Sequence, residues 1–281
     1  MLSIIISSYQ PHYYIALEKN IADTIGIPYE IIKIDNNGIM GICEAYNRGA
    51  EKAQYDFLLF LHEDVLFETQ DWGKELIELL NLENCGVIGV AGTDYYGYVP
   101  YQWANRRSKI HIIQSNKQKN KKEKILRKNF KKNSTIEKVK ALDGVFLACH
   151  KNTYLEFPFD SNLNGYHGYD LLFSLKISKN RQNYISDKIT IIHYSEGTLS
   201  KEWLQSILLT RKIIGKHPNQ KFEKEIEKEN FGKLIMYLDK FKFTNFEKIT
   251  VIFKYLNPFV LGFLNSIKIL NKLRYILKKI T

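Results

Sequence analysis

The sequence predicts an α/β protein whose core is a mostly parallel sheet flanked by helices. Three short apolar runs, at residues 2–7, 29–34 and 57–61, are typical of buried strands. Helical patterns separate them, one ending at Gly26 and one spanning about 42–53. The order β-α-β-α-β within 65 residues requires parallel strands, because a crossover helix joins each strand to the next.

Polar residues close each of these strands, at Ser7-Ser8, Asp35-Asn36 and His62-Glu63-Asp64. The carboxyl ends of parallel strands share one edge of a sheet, where ligands of such folds bind. A carboxylate there is costly to bury unless it is paired or bound to metal. The glycine-rich dinucleotide and P-loop motifs are absent, so a carboxylate-held cation is the obvious remaining way to hold a nucleotide diphosphate.

Further strands and helices are predicted after residue 65. A helix is predicted over 72–80, strands over 85–91, 144–149 and 188–194, and a second helical stretch over 171–177. The polar loop 159–170 contains two glycines and precedes that helix. We therefore predict a catalytic-type domain over 1–200, followed by a helical, basic extension over 201–281 whose first helix, 203–214, begins behind Ser200.

The cysteines and the lengths of the apolar runs indicate where in the cell the protein is expected to lie. Cys43, Cys85 and Cys149 form no C-x-x-C pair, which favours reduced, buried thiols in a cytosolic protein. The first residues lack the pattern of a signal peptide, and no run reaches the ~18–20 apolar residues that spanning a bilayer requires. The expected location is cytoplasmic, with peripheral association at the inner face of the membrane as a further possibility.

The net charge of +11 is concentrated in two segments. Residues 106–140 hold 14 Lys or Arg against Glu123 and Glu137, and we expect a mobile, solvated insertion there that contacts an anionic acceptor or lipid headgroups. Residues 242–281 hold eight basic residues against Glu247. Apolar residues in this second segment fall near one helical face: Val260, Phe263, Leu264, Ile267, Leu270, Leu273, Leu277 and Ile280. This pattern fits a helix on an anionic membrane surface and a helix docked on the catalytic domain about equally well.

Five short motifs, in order, resemble the family 2-like glycosyltransferases, which are nucleotide-sugar enzymes of the GT-A fold. They are the strand 29–36 ending in Asp35, the Asn-x-Gly helix at Asn47, the strand 60–65, the strand 143–148 and the loop 165–170. His62 stands where that family has the first acid of its Asp-x-Asp motif, and Asp64 matches the second. Tyr169 replaces the first acid of the family's Glu-Asp pair, and Asp170 matches the second.

The resemblance implies a role for each matching residue. Asp170 becomes the catalytic base of an inverting transfer, and Asp64 with His193 becomes the ligand set of Mn²⁺ or Mg²⁺. The acceptor, a glycan or lipid-linked hydroxyl, lies beside Tyr166 and His167. The donor, a nucleotide sugar, contacts seven residues: Ser7, Tyr9, Asp35, Asn47, His62, Glu63 and Asp143. The implied biological role is synthesis of a bacterial surface glycan.

Local interpretations of the same residues stay open at this point. Asp35 also suits an Asx turn, Asp143 the start of a strand and Asp170 a helix N-cap. A lone histidine at a strand end, such as His193, is commonly structural. A different class of protein, binding nucleic acid or acidic lipid through the basic segment, is disfavoured for nucleic acid because Phe130 is the sole aromatic residue in 106–140. No nucleic-acid partner is expected.

Overall fold

The structure is a computed structural model that describes residues 1–115, 125–194, 197, 199–215, 221–264, 266–267 and 269–270. The chain divides into two units. Unit 1 comprises residues 1–96 and 103–198, and unit 2 comprises residues 97–102 and 199–281. The boundary predicted from the sequence lies at residue 200, whereas in the structure residues 97–102 also belong to unit 2.

Unit 1 alternates strands and helices in its first third and is richer in strands afterwards. Its strands are β1 Leu2–Ser8, β2 Tyr29–Asp35, β3 Phe57–Leu61, β4 Val65–Phe67, β5 Cys85–Gly89, β6 Ala91–Thr93, β7 Ser108–Gln114, β8 Ile125–Lys128, β9 Ile136–Val139, β10 Ala141–Leu142, β11 Phe146–His150, β12 Gln182–Ser186 and β13 Ile191–His193. Its helices are α1 Pro11–Thr24, α2 Ile42–Lys52, α3 Trp72–Leu80, α4 Lys151–Glu156 and α5 Tyr169–Ile177.

The main sheet has seven strands in the order β2-β1-β3-β11-β5-β12-β9. The predicted β-α-β-α-β start is confirmed, since β1 pairs parallel with both β2 and β3. Five of the seven strands run in one direction, as expected for a mostly parallel sheet, and β11 and β9 run antiparallel to their neighbours. This reversal brings the amino end of β11 to the carboxyl end of β3, where the His62 backbone N–H donates to the Val145 carbonyl at 3.2 Å.

A second sheet, in the order β10-β6-β7-β13-β4, carries two more chain segments to the same place. Strand β13 pairs antiparallel with β4, which sets His193 opposite Val65, and parallel with β7, which sets His193 opposite Gln114. The Tyr194 N–H donates to the Asp64 carbonyl at 3.0 Å. Backbone pairing on both sides therefore holds His193 beside Asp64.

The prediction that residues 106–140 form a solvated insertion is wrong for much of the segment. Strand β7 is a largely buried central strand of the second sheet, and β9 is the edge strand of the main sheet. The argument that its like charges resist burial fails at Lys109, which is buried with Asp94 at 3.8 Å and Glu137 at 3.4 Å. Opposite charges, Asp94 from outside the segment and Glu137 from within it, offset the cost of burying Lys109. Residues 116–124 lie outside the described residues.

Unit 2 is helical. Its helices are α6 Lys201–Ile214, α7 Lys224–Lys240, α8 Asn245–Tyr255 and α9 Pro258–Leu261, with helical backbone also at 263–264, 266–267 and 269–270. Ser200 caps α6 as expected, its hydroxyl accepting from the Trp203 N–H at 3.2 Å. In the residues that the structure describes, we find no helix both long and apolar enough to cross a lipid bilayer.

The hexapeptide 97–102 is anchored in unit 2 by a buried carboxylate. Glu227 of α7 accepts from the Tyr98 N–H and the Val99 N–H, both at 2.8 Å. The ring of Tyr101 lies 6.3 Å from that of Trp203 between centroids. A buried charge is tolerated here because both of its oxygens receive hydrogen bonds from backbone N–H groups.

Candidate functional site

A prominent feature of unit 1 is an open cleft of ≈ 640 Å³ at the carboxyl ends of the parallel strands. Its wall is built where β1, β2 and β3 stop together, as the pairs Ser8–Asp35 and Ile6–Leu61 show. The residues that line it are Ser7, Tyr9, Gln10, Asn36, Asn37, Gly38, Ile42, Tyr46, His62, Glu63, Asp64, Tyr166, Tyr169 and Gly197. The cleft lies at the sheet edge where the sequence places the site.

Beside this cleft, His62, Asp64 and His193 bring three potential metal ligands together. One ligand atom from each lies within 4.8 Å of the other two. The Asp64 Oδ1 atom is 3.6 Å from His193 Nε2 and 3.9 Å from His62 Nδ1. Burial lowers the pKa of His62 even though Asp64 opposes this shift, so the ring favours the neutral form that binds metals.

Each imidazole has a polar neighbour at its other nitrogen. The His62 Nε2 atom lies 2.8 Å from the hydroxyl oxygen of Tyr169, and that hydroxyl donates to the Gly144 carbonyl at 3.2 Å. The His193 Nδ1 atom lies 3.3 Å from Gln114 Oε1. Burial raises the pKa of Tyr169 well above its usual range, so its hydroxyl keeps its proton at neutral pH.

Glu63 supports the cleft wall from behind. Its Oε1 atom accepts hydrogen bonds from the Tyr9 N–H and the Gln10 N–H, both at 3.0 Å, and its side chain is buried. The turn between β1 and α1 is thereby fixed, with Tyr9 largely exposed in the cleft. Donor contact by Ser7, Tyr9 and Glu63 remains a prediction.

Asn36 and Asn37 line the cleft after β2, and the predicted Asp35 is not among the lining residues. The Asp35 side chain is 76% exposed and forms an ion pair with Lys33 at 2.7 Å. The buried Asn36 side chain instead donates to the Ser7 hydroxyl at 3.2 Å and braces the turn through Met40. Donor contact by Asp35 remains a prediction.

Asn47, predicted to contact the donor, does not line the cleft. Its side-chain NH₂ donates to the Phe159 carbonyl at 2.9 Å, and its side-chain oxygen accepts from the Tyr154 hydroxyl at 2.9 Å and the Phe159 N–H at 3.2 Å. These bonds tie α2 to the chain that precedes the 160–168 loop. Donor contact by Asn47 remains a prediction.

Replacing Asn47 by alanine is expected to lower the free energy of unfolding by about 2 kcal/mol, because buried partners lose their hydrogen bonds. Donor affinity should stay within about twofold of the unaltered chain, since a twofold change is only ~0.4 kcal/mol. Urea unfolding and calorimetry measure the two quantities. A large loss of donor affinity in a folded Asn47→Ala chain would restore the donor-contact interpretation.

Two carboxylates, Asp143 and Asp170, lie close enough to influence each other. Asp143 accepts from the Trp103 indole N–H and the Val145 N–H, both at 2.9 Å. Burial, with Asp143 adding to it, raises the pKa of Asp170 to about 7, against hydrogen bonds from backbone groups of Leu171 and Gly144. The environment of Asp170 therefore makes it a carboxyl group that titrates near neutrality.

The loop before α5 supplies the remaining predicted residues. Tyr166 lines the cleft, and its hydroxyl donates to the Met40 carbonyl at 3.0 Å. His167 is half-buried and is not among the residues that line the cleft. Gly168 adopts φ = +77° directly before the helix, a conformation that glycine takes without strain. An acceptor-side role for Tyr166 and His167 remains a prediction.

Comparison with known families decides the class of protein. The family model described as "Glycosyltransferase like family" matches residues 3–205, which include the cleft and the His62–Asp64–His193 cluster. The chain belongs to this glycosyltransferase family. Comparison with curated protein sequences gives no match.

Solved structures show the fold of this glycosyltransferase. The crystal structure of GalNAc-T7 with UDP, GalNAc and Mn²⁺ is similar at a TM-score of 0.54 and 12% identity, over 76% of this chain and 48% of that chain. The glycosyltransferase thus spans about half the length of GalNAc-T7. Two crystal structures of S. aureus TarS 1-349, the second in complex with UDP-GlcNAc, give TM-scores of 0.48 and 0.47 at 14% and 13% identity, over 87% and 91% of this chain and 73% and 71% of those chains. The predicted GT-A fold is confirmed.

Sequence reasoning missed several residues of the glycosyltransferase site. Gln114 lies inside the segment predicted to be an insertion, and only its pairing with His193 in the second sheet shows its place. The family motif marks Tyr169 as a missing acid, not as a partner of His62. Neither position carries a local signal, because each acquires its contacts through pairing with distant strands.

Proposed function

We propose that this glycosyltransferase transfers a sugar from a nucleotide diphosphate donor to a hydroxyl of a glycan or lipid-linked acceptor, with inversion at the anomeric carbon. The observation that carries this proposal is the His62–Asp64–His193 cluster at the edge of a cleft built by β1, β2 and β3. A diphosphate leaving group accumulates negative charge as it departs. A cation at this cluster would lie at the cleft in which we place the donor.

The three potential metal ligands fit a divalent cation and favour Mn²⁺ over Mg²⁺. Two imidazoles and one carboxylate converge, whereas Mg²⁺ prefers oxygen ligands alone. The Mn²⁺ of the GalNAc-T7 crystal structure supports the same choice. When bound, the cation supplies positive charge that stabilises the departing diphosphate. His62, Asp64 and His193 are the residues that would hold it.

Asp170 is the proposed general base. The acceptor oxygen forms a bond to the anomeric carbon, the bond from that carbon to the diphosphate oxygen breaks, and Asp170 takes the hydroxyl proton. A pKa of about 7 suits this task, because such a base is partly ionised near neutral pH and still binds a proton well. Direct attack from the face opposite the leaving group inverts the configuration.

Calorimetry tests this function. The chain is titrated with UDP-, GDP-, CMP- and dTDP-sugars, with Mn²⁺ and with excess chelator. We expect a UDP-sugar to bind most tightly and to require the metal, in line with the UDP in GalNAc-T7. Binding that is equally tight in chelator would overturn the metal's role, and binding of no nucleotide sugar would overturn the function.

We further propose that unit 2 contacts an anionic membrane through α8. Phe246 and Phe253, 80% and 52% exposed, are seven residues apart and so project from the same side of this helix. Beside them lies a mainly apolar groove of ≈ 240 Å³, lined by residues that include Lys212 and Lys254. Exposed aromatic rings next to lysines match the requirements of an interface with acidic headgroups.

The sequence pattern over 260–280 gives weaker support for membrane contact. Val260 is buried, and residues 271–281 lie outside the described residues. The exposed apolar residues of this stretch are Phe263, Leu264, Ile267 and Leu270.

The double variant Phe246→Ser/Phe253→Ser is expected to lose affinity for phosphatidylglycerol-containing vesicles by ~10-fold or more, since burying each ring is worth ~1.5–3 kcal/mol. Vesicle flotation and its salt dependence measure this. Ile15→Ser, which removes an exposed apolar side chain from unit 1, is the matched control and should bind normally. Equal binding of all three chains would contradict the proposal, and salt-independent self-association would instead make α8 a protein interface.

A further inference from the structure

The two histidines of the proposed metal site face Asp64 through different ring nitrogens. His62 turns Nδ1 toward the carboxylate, and His193 turns Nε2 toward it. A neutral imidazole carries one proton, and the nitrogen that lacks it is the one that binds a metal. The cluster therefore works only if His62 is protonated on Nε2 and His193 on Nδ1, which are opposite tautomers.

The contacts of Tyr169 select the required tautomer of His62. A carbonyl oxygen only accepts, so the single hydroxyl proton of Tyr169 is the one donated to Gly144. Toward His62 the same oxygen then accepts, and the proton between them, over 2.8 Å, belongs to His62 Nε2. The result is a directed chain, from the His62 N–H to the Tyr169 hydroxyl to the Gly144 carbonyl, that leaves His62 Nδ1 unprotonated.

Gln114 selects the opposite tautomer of His193. Its side-chain NH₂ donates to the His193 carbonyl at 3.2 Å, which orients the amide and leaves Oε1 facing the ring. Oε1 only accepts, so the proton at 3.3 Å belongs to His193 Nδ1. His193 Nε2 keeps its lone pair on the Asp64 side.

We propose that Tyr169 and Gln114 are positioning residues that preset His62 and His193 in opposite tautomers for a divalent cation. The inference rests on the metal site proposed above and names what prepares it. Hydrogen bonds of this kind to metal-binding histidines fix ring orientation, and their loss typically weakens metal affinity 10–100-fold. His62 and Tyr169 each stand where the family has an acid. The hydrogen bond between these two side chains explains why both positions differ from the family pattern.

Residue 144 shows that the Tyr169 contact is built into the fold. A Cβ atom at Gly144 would lie 2.0 Å from the Tyr169 hydroxyl oxygen, so only glycine leaves room for it. The Tyr169 ring is also fixed by aromatic neighbours, with centroids 5.8 Å from Tyr46 and 6.1 Å from Phe159. Removing the hydroxyl alone therefore changes the hydrogen bonds while the ring packing stays.

The test titrates Mn²⁺ alone into the full chain and follows free Mn²⁺ by electron paramagnetic resonance. Tyr169→Phe should bind Mn²⁺ 10–100-fold more weakly than the unaltered chain. Tyr154→Phe is the matched control, because it removes a hydroxyl bonded to Asn47 in the same aromatic cluster, and its affinity should not change. In a His62→Asp background, where no tautomer needs to be chosen, adding Tyr169→Phe should have little effect.

Nitrogen NMR of the unaltered, metal-free chain gives a readout that depends on no variant. We expect the His62 proton on Nε2 and the His193 proton on Nδ1. The same tautomer in both rings would overturn the inference, as would an unchanged affinity in Tyr169→Phe or an equal loss in the His62→Asp background. Failure of the unaltered chain to bind Mn²⁺ would instead overturn the metal site, and this inference with it.

Discussion

Asp170→Asn is expected to lower turnover by ~10²-fold or more while donor affinity remains within about twofold. Asparagine keeps the size and most of the hydrogen bonding of the side chain but accepts no proton. Steady-state assays with the donor found by calorimetry, together with the anomeric configuration of the product, measure the effect. Near-normal turnover, or retention of configuration, would remove Asp170 as the base and leave Asp143 as the next residue to test.

The pH dependence of the reaction follows from the same residue. Because burial and Asp143 raise the pKa of Asp170 to about 7, kcat/KM should rise with pH up to about 7 and then level off. Asp143→Asn removes the neighbouring charge, so the pKa of Asp170 should fall and the rising limb should move to lower pH. A limb that stays in place in Asp143→Asn would show that another group titrates.

Asp170→Asn should also stabilise the fold at neutral pH. A carboxyl whose pKa is raised on folding opposes folding as the pH rises from its unfolded pKa through its folded one, here from 3.8 to about 7. The Tm of the variant should therefore exceed that of the unaltered chain at pH 8 and converge with it near pH 4. Each kcal/mol corresponds to ~2–4 °C in a protein of this size class.

Asp64→Asn is expected to weaken Mn²⁺-dependent donor binding and to lower kcat/KM by ~10³-fold, since a metal of this kind supplies several kcal/mol to the transition state. Asp64 is the carboxylate that both imidazoles face, so its charge is the part of the cluster that histidines cannot replace. Calorimetry with and without Mn²⁺ separates the loss of metal from the loss of donor.

Asp35→Asn is the matched control for Asp64→Asn. It also removes a carboxylate at the end of a parallel strand, but from an exposed side chain that pairs with Lys33 outside the cleft. Donor binding should be unchanged. If Asp35→Asn weakens the donor as much as Asp64→Asn, the acid after β2 contacts the nucleotide as the family resemblance implies.

Local patterns were sufficient to predict the three parallel strands with which the main sheet begins. The apolar runs at 2–7, 29–34 and 57–61 lie in adjacent parallel strands, and this pairing alone sets the polar residues after them along one edge. Asp64 and His193 were predicted as metal ligands from the family resemblance, and that role stays a prediction. The structure brings them together through β13 and β4, a pairing that the sequence does not show.

Prediction failed where long-range partners decide the outcome. Lys109 looked solvated because its acidic partners, the half-buried Asp94 and the buried Glu137, lie 15 and 28 residues away. The family resemblance implies donor contact by Asn47 and gives no sign of its partners Phe159 and Tyr154, which lie more than 100 residues along the chain. In both cases a polar side chain finds its ion-pair or hydrogen-bond partner at a distant position in the chain. The periodicity of the sequence does not predict such a contact.

The placement of residues 97–102 in unit 2 affects how the two units can be studied apart. A chain ending at residue 198 would keep the hexapeptide but lose Glu227, Trp203 and the rest of its surroundings. The Tyr98 and Val99 N–H groups would lose their acceptors, and the apolar side chains of Val99 and Tyr101, both buried in the full chain, would meet water. Such a fragment would be prone to proteolysis and aggregation for reasons unrelated to catalysis, so point substitutions, not truncation, separate the activities of the two units.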